Sequence, residues 1–206
     1  MALNFPASPT VGQTYVYATT GTTWTWNGSS WSILSSGNFS SITVTGNILP
    51  SANATYNIGS VTSQFGDIYG TAYRARYADL AERYEADAQY EIGTVMVFGG
   101  DNEVTQSTEY AQTSIAGVIS DNPALCMNAF AGPDDSHPYI ALQGRIPVKV
   151  TGSVKKGDIL VSSYIDGYAV AWDDKDSDPR MTAYIGIAIG DKHDDGAGFV
   201  EVKVGK

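Results

Sequence analysis

From Phe5 to Leu34 the chain reads "FPASPTVGQTYVYATTGTTWTWNGSSWSIL", a run without one charged residue. Large and small residues alternate three times: at Tyr15 and Tyr17, at Trp24 and Trp26 after "TGTT" at 20–23, and at Trp31 and Ile33 after "NGSS" at 27–30. Alternation at period two, broken by Asn-Gly and Gly-Thr turn signals, predicts a three-stranded meander with one aromatic face. A unit of about 35 residues buries too little surface to stand alone, and below ~40 residues a staple or oligomerisation is normally required. The stretch has no cysteine and no metal ligands. It must therefore share its core with another chain or dock on another protein. An aromatic face also suits a sugar. Packing is the stronger reading, because cross-strand aromatic pairs commonly hold small sheets together.

The next stretch, roughly 36–67, repeats the problem. "SGNFSSITVTGNILPSANATYNIGSVTSQFGD" is rich in Ser, Thr, Gly and Asn, and its apolar residues form only short alternations such as Ile42, Val44 and Ile48. No helical period is present, and the apolar material is too sparse for a sheet within one chain. A linker would not need Ile42, Val44, Ile48, Leu49, Ile58 and Phe65, so short strands winding around an axis shared between chains are expected. In 68–87, "IYGTAYRARYADLAERYEAD", Tyr73, Tyr77, Leu80 and Tyr84 are spaced 4, 3, 4. That stripe predicts a short helix with a heptad-like seam, or a connector packed on the neighbouring domain.

From about Tyr90 onward β-branched residues become dense and an internal repeat emerges. "GTVMV" (93–97), "EVT" (103–105) and "IAGVIS" (115–120) are echoed by "GDILV" (157–161), "GYAV" (167–170) and "YIGIAI" (184–189). The second copy is longer by the polar insertion "DDKDSD" at 173–178. Between the copies lies "IALQGRIPVKV" (140–150), and "FVEVKV" (199–204) follows the second. Many short strands between turns predict a compact β-barrel or sandwich, with Pro147 marking an edge or bulge. The expected organisation is mainly β: a meander over 1–35, an intertwined β/helical stalk over 36–89, and a barrel-like domain over 90–206.

The 206 residues carry a formal net charge of −10. Nucleic acid is thus not an expected partner of the whole chain, since phosphate binding needs clustered Lys and Arg. An anionic membrane surface is unsuited for the same reason. No window approaches the ~20 apolar residues of a membrane span, so no membrane insertion is expected. The N-terminal "MALNFPASPT" does not read as a signal peptide, and the single Cys126 permits no intrachain disulfide.

No catalytic constellation is legible. His137 in "DDSHP" and His193 in "KHDD" read as solvated loop histidines without zinc-ligand partners. Asp174, Asp176 and Asp178 resemble the first half of a calcium loop, but the required Gly is absent, Pro179 following instead, and Ile185 occupies the place of the bidentate Glu. Cys126, in "NPALCMN", reads as a buried inert thiol. Glu82, Glu85 and Asp87 carry no specific acid/base signal. No cofactor and no metal are expected.

Two stretches resemble bacteriophage tail-fibre proteins. "FPASPTVGQTYVY…TTWTWNGSSWSI" looks like a module near the ends of phage tail proteins. "LPSANATYNIGSVTSQFGDIYGTAYRARYADLAERYEAD" is similar to the segment preceding the C-terminal domain of many tail fibres, and "GTVMVFGG" through "ALQGRIPVKVTGSVKKGDILVSS" continues the likeness. The resemblance implies a homotrimer on the virion with a task in host attachment. Tail, baseplate or capsid proteins are then the implied partners, and a host-surface glycan suits the polar loops 131–138, 173–179 and 191–198. A short tail or baseplate fibre, a head fibre, and a decoration or adaptor protein are all compatible. A self-cleaving chaperone domain is a further alternative, since "YADLAERYE" resembles the start of such domains. On this reading Tyr15, Tyr17, Trp24, Trp26, Trp31, Tyr73, Tyr77, Leu80 and Tyr84 form the oligomer or partner interface.

Overall fold

The computed structural model describes residues 4–19, 22–33, 42–173 and 181–205. The chain divides into two units, residues 1–68 and residues 69–206. Part of the turn expected at 20–23, Leu34, residues 36–41 and the Asp174–Asp178 loop lie outside the described residues.

The first unit holds one antiparallel sheet of β1 (Thr14–Tyr17), β2 (Thr22–Trp26) and β3 (Trp31–Ile33), the expected meander. The register sets Tyr15 opposite Trp24, Trp24 opposite Ile33, and Trp26 opposite Trp31. Residues opposite one another share a face, and the side-chain period is two. Tyr15, Tyr17, Trp24, Trp26, Trp31 and Ile33 therefore line one side of the sheet. The β2–β3 loop is closed by Asn27, whose Oδ1 accepts the N–H groups of Ser29 and Ser30, each at 2.9 Å. Gly28 takes φ +103°, where a side chain would be strained.

Beyond it, no strand forms within the single chain among the described residues of 36–67. Among the described residues of that stretch the only ladder contact is an isolated bridge between Ser60 and Ser63. The alternations are too short, and turn residues separate them before any strand can find a partner.

The second unit is a barrel structure built from β4 (Asp79–Arg83), β5 (Val95–Phe98), β6 (Val104–Gln106), β7 (Ile115–Ser120), β8 (Leu125–Met127), β9 (Tyr139–Thr151), β10 (Ile159–Ser162), β11 (Ala169–Ala171), β12 (Gly186–Ala188) and β13 (Ala197–Val204). A single 3-10 turn spans Met181–Ala183, and no α-helix occurs among the described residues. The helix expected over 68–87 is thus replaced by irregular chain and then β4. "DLAER" alternates between buried and half-buried positions, and β4 pairs with the N-terminal half of β9. Tertiary pairing has overridden the 4, 3, 4 spacing. The same pairing joins Asp79–Arg83 to the C-terminal unit, which begins at residue 69.

The strand order β11-β10-β12-β13-β9 closes on itself because Ala169 of β11 pairs with Val150 of β9. A second, smaller ring runs from β9 through β7, β5 and β6, and returns through the Ala86–Val104 bridge and β4. The 13-residue strand β9 belongs to both rings. The larger core gathers Ile146, Val148, Val150, Leu160, Ile185, Val200 and Val202. The smaller gathers Met96, Val104, Ala116, Ile119 and Ile140. β5 and β7 separate the two: Val95 and Val118 face the larger core, Met96 and Ile119 the smaller. Strands covered on both faces lose the polar alternation, which is why "VMV" and "AGVI" read as continuous apolar runs.

The sequence repeat is a structural one. β5 lies between β6 and β7 as β10 lies between β11 and β12. The N–H of Gly93 donates to Ile119 and that of Gly157 to Ala188; Ile119 donates back to Thr94, and Ala188 to Asp158. A Cβ on Gly117 would sit 2.3 Å from the Ala141 carbonyl oxygen, and one on Gly186 would sit 2.3 Å from that of Lys203. Each glycine lets its strand lie against the strand that ends its half, β9 or β13.

Candidate interaction surfaces

The aromatic side of the meander is partly covered by its own chain. Phe5 stacks on Trp31, with ring centroids 5.0 Å apart and planes at 9°, and meets Tyr15 and Trp24 edge-on at 5.0 and 5.4 Å. Trp26 leans on Trp31 at 5.8 Å. Even so, no described residue from 4 to 33 is buried. The indole N–H of Trp24 is shielded from solvent without a hydrogen-bond partner. Such a group costs roughly 1–3 kcal/mol unless an acceptor is supplied. Phe5, which alternation does not single out, is the clamp of this cluster.

Every residue from 42 to 78 is exposed. Ile48, Leu49, Ile58 and Tyr69 are 78%, 78%, 82% and 93% exposed. Of the expected seam, Tyr73 and Tyr77 lie in this uncovered stretch, Leu80 is half-buried on β4, and Tyr84 packs edge-on against Phe98 at 5.3 Å. The single chain does not bring the four together. Burial, and a hydrogen bond from its hydroxyl to Glu82 at 2.7 Å, push the Tyr84 pKa up to about 12.

A groove of about 260 Å³ opens where β4 begins, lined by Tyr77, Asp79, Ile92, Asp121, Arg145 and Pro147 among others. Its origin lies in β9. On the side away from β13, Arg145 N–H donates to Ala78 and Lys149 N–H donates to Gly93. Pro147, midway between them, has no N–H to give. The strand stays paired with β13 on its other side, Pro147 opposite Glu201. The edge character expected of Pro147 is therefore confined to one side of a central strand, and there the groove forms. Asp79 is buried on this wall, and its Oδ2 lacks a hydrogen-bond partner. Sequence reasoning passed over Asp79; only the proline signalled that backbone would be left open here.

The remaining polar groups stabilise loops. Arg83, buried, donates to the carbonyls of His137 and Ala129 and to Asp134 at 2.7 Å, which pins loop 128–137. His137 is half-buried with Ser136 Oγ 3.0 Å from Nδ1, whereas His193 is exposed. Cys126 is half-buried on β8, and burial raises its thiol pKa. Lys192 Nζ meets four oxygens, from Gly152, Asp194 (two) and Gly196, at 2.6–3.2 Å. Among the described residues no three His, Cys, Asp or Glu side chains are grouped to hold a metal. No helix among them is long and apolar enough to cross a membrane.

No protein-family model matches the chain, and no curated protein matches it significantly. Among solved structures, the fold is similar to the pre-mature gene product 12 of bacteriophage phi29, with TM-score 0.50 and 16% identity over 68% of this chain. The match spans 23% of that protein's chain. A C-terminal fragment of the same gene product is matched over 61% of this chain and 99% of the fragment, at 18% identity and TM-score 0.44. The N base of the phi29 head fibre gp8.5 is matched over 60% and 92%, at 16% identity and TM-score 0.35. At such identities the likeness is one of fold.

Proposed function

We propose that this chain is a fibre-like structural protein of a bacteriophage virion that works as a homotrimer in host attachment. The carrying observation is the run 42–78, whose apolar side chains are exposed and find no core among the described residues of their own chain. Isolated exposed apolar residues are ordinary, but a continuous exposed run of this kind is an interaction surface. Closed rotational symmetry lets identical segments cover one another and leaves no open sheet edge. The fold shared with phi29 gene product 12 and the motifs that resemble tail fibres support the same reading. In it, residues 1–35 join the particle and residues 90–206 face outward, with loops 131–138 and 191–198 available to a host-surface glycan.

Gold-labelled antibody against residues 90–206, viewed on whole particles, tests the assignment. Label at the tail or baseplate, together with a trimer mass in equilibrium sedimentation, is the expected result. Label on the capsid would replace the tail fibre with a head fibre. A folded monomer at micromolar concentration would overturn the shared-core reading.

A further inference from the structure

The groove beside Pro147 contains an electrostatic defect. Asp79 is only 5% exposed, and one of its carboxylate oxygens is shielded from water without a partner. A buried carboxylate is costly unless a cation or strong donor meets it. Asp121, on the same wall, accepts from its neighbour Asn122 at 2.6 Å. The buried cations nearby are engaged elsewhere: Arg83 with Asp134, and Lys149 with Glu91 at 2.6 Å. Arg145 lines the groove, but it follows Gly144, the cross-strand partner of Asp79, by one residue. Its guanidinium forms no ion pair with Asp79 among the described residues.

Two further cations precede the groove-lining Tyr77 in sequence. Arg74 and Arg76 are the only basic residues between 42 and 78, and both are exposed. Neither forms an ion pair among the described residues; Arg76 lies over the Tyr77 ring, 6.0 Å from its centroid. We propose that the groove is completed by a second copy of this chain: the guanidinium of Arg74 or Arg76 from one copy enters the groove of its neighbour and pairs with Asp79, with Asp121 beside it. The inference rests on the homo-oligomer reading above. Where uncovered segments run side by side about a rotation axis, residues three to five apart in sequence lie within about 10–17 Å along the strand direction. A long arginine reaching sideways spans part of that offset. Its planar fork suits a carboxylate, and it is less strongly hydrated than an ammonium. Closed symmetry then fills every groove once.

Zero-length carbodiimide cross-linking of the full chain tests this, using Arg74→Lys and Arg76→Lys variants so that an amine can couple to a carboxylate. The expected product runs at multiples of the chain mass on a denaturing gel. Mass spectrometry should find the introduced lysine joined to Asp79 or Asp121, and Asp79→Asn should remove the link to position 79. If the protein sediments as an oligomer yet these links occur only within single-chain species, or do not form, the pairing is wrong while the oligomer stands. A monomer in sedimentation removes both. As a second readout, Arg74→Ala with Arg76→Ala should raise the dissociation constant of the oligomer at least about thirtyfold, the scale for truncating one partner of a desolvated charge pair. Melting of the barrel should stay the same. Unchanged assembly would overturn the proposal.

Discussion

Residues 42–78 and residues 79–205 use the same apolar residue types and meet opposite fates. Ile42 and Val44 alternate as Val148 and Val150 do. The first pair is 70% and 53% exposed, and the second pair is fully buried. What separates them is the supply of partners. Val148 and Val150 lie on a 13-residue strand flanked by β13 along this half, and β13 comes from the other half of a duplicated unit. Ile42 and Val44 lie between Ser, Thr, Gly and Asn, and among the described residues of their own chain no strand pairs with them. Hydrophobicity alone does not make a core; a core needs elements long enough to close around it.

The sharpest way to break this comparison is to cut the chain at the junction. A fragment of residues 79–205 should melt as one cooperative transition. A peptide of residues 1–68 should show none when dilute, because none of its described residues is buried. A cooperative transition in the dilute peptide would mean that its core is internal after all.

Glycines offer a finer contrast. Gly117→Ala and Gly186→Ala each force a Cβ to within 2.3 Å of a neighbouring carbonyl oxygen. Each should destabilise the barrel by roughly 3 kcal/mol, at the upper end of what overpacking costs. The two effects should be similar, since the positions are equivalent in the two halves. Gly46→Ala and Gly66→Ala meet nothing within 4 Å and should leave urea unfolding of the barrel unchanged. Unequal effects at 117 and 186 would weaken the duplication argument.

The aromatic cluster ranks next. Trp24→Ala with Trp26→Ala should weaken incorporation into particles by about 2–4 kcal/mol, the scale of buried aromatic anchors. Phe5→Ala should act in the same direction, because Phe5 holds the rings of Tyr15, Trp24 and Trp31 in place. Particle co-sedimentation measures both. Full incorporation of the double variant would relocate the attachment module. In the uncovered run, Ile48→Ser and Ile58→Ser should each loosen the oligomer by about 1.5–3 kcal/mol if the side chain is fully buried between chains. The dissociation constant from sedimentation reads this, and barrel melting should not move.

Much of this fold was legible from period and punctuation. The meander followed from the alternation around Trp24 and Trp31 and from Asn27-Gly28. The barrel strands followed from β-branched runs between turns, and the duplication from paired glycines at 93 and 157 and at 117 and 186. What misled was "YRARYADLAERY". Its spacing suits a helix, and only the demand of β9 for a second neighbour makes Asp79–Arg83 a strand. That demand comes from residues about sixty positions away and leaves no local trace. The groove was half legible: Pro147 announced an open backbone position, but the burial of Asp79 depends on a pairing that local patterning does not reveal.

The smallest expected effect is on pH dependence, and it should also divide at the junction. Between 42 and 78 the only carboxylate is Asp67, whereas the barrel carries most of the acids. Lys149 holds the Glu91 carboxyl below its ordinary pKa, and Lys192, together with the Gly196 N–H, does the same for Asp194. A lowered native pKa means that the unfolded chain binds more protons over the interval between the two values. The contribution is therefore present above the unfolded pKa and is lost as pH falls through the native one. Both carboxylates face solvent, so screening keeps each contribution modest. Urea unfolding of residues 79–205 should shift to a lower midpoint between about pH 6 and about pH 3, below the ordinary Asp and Glu values. Asp194→Asn should remove part of that shift, because its amide keeps a hydrogen bond but cannot titrate. An acid shift of the same size in Asp194→Asn and Glu91→Gln would assign the dependence to other carboxylates of the barrel. A shift in oligomer mass at constant barrel stability would assign the dependence to contacts between chains instead.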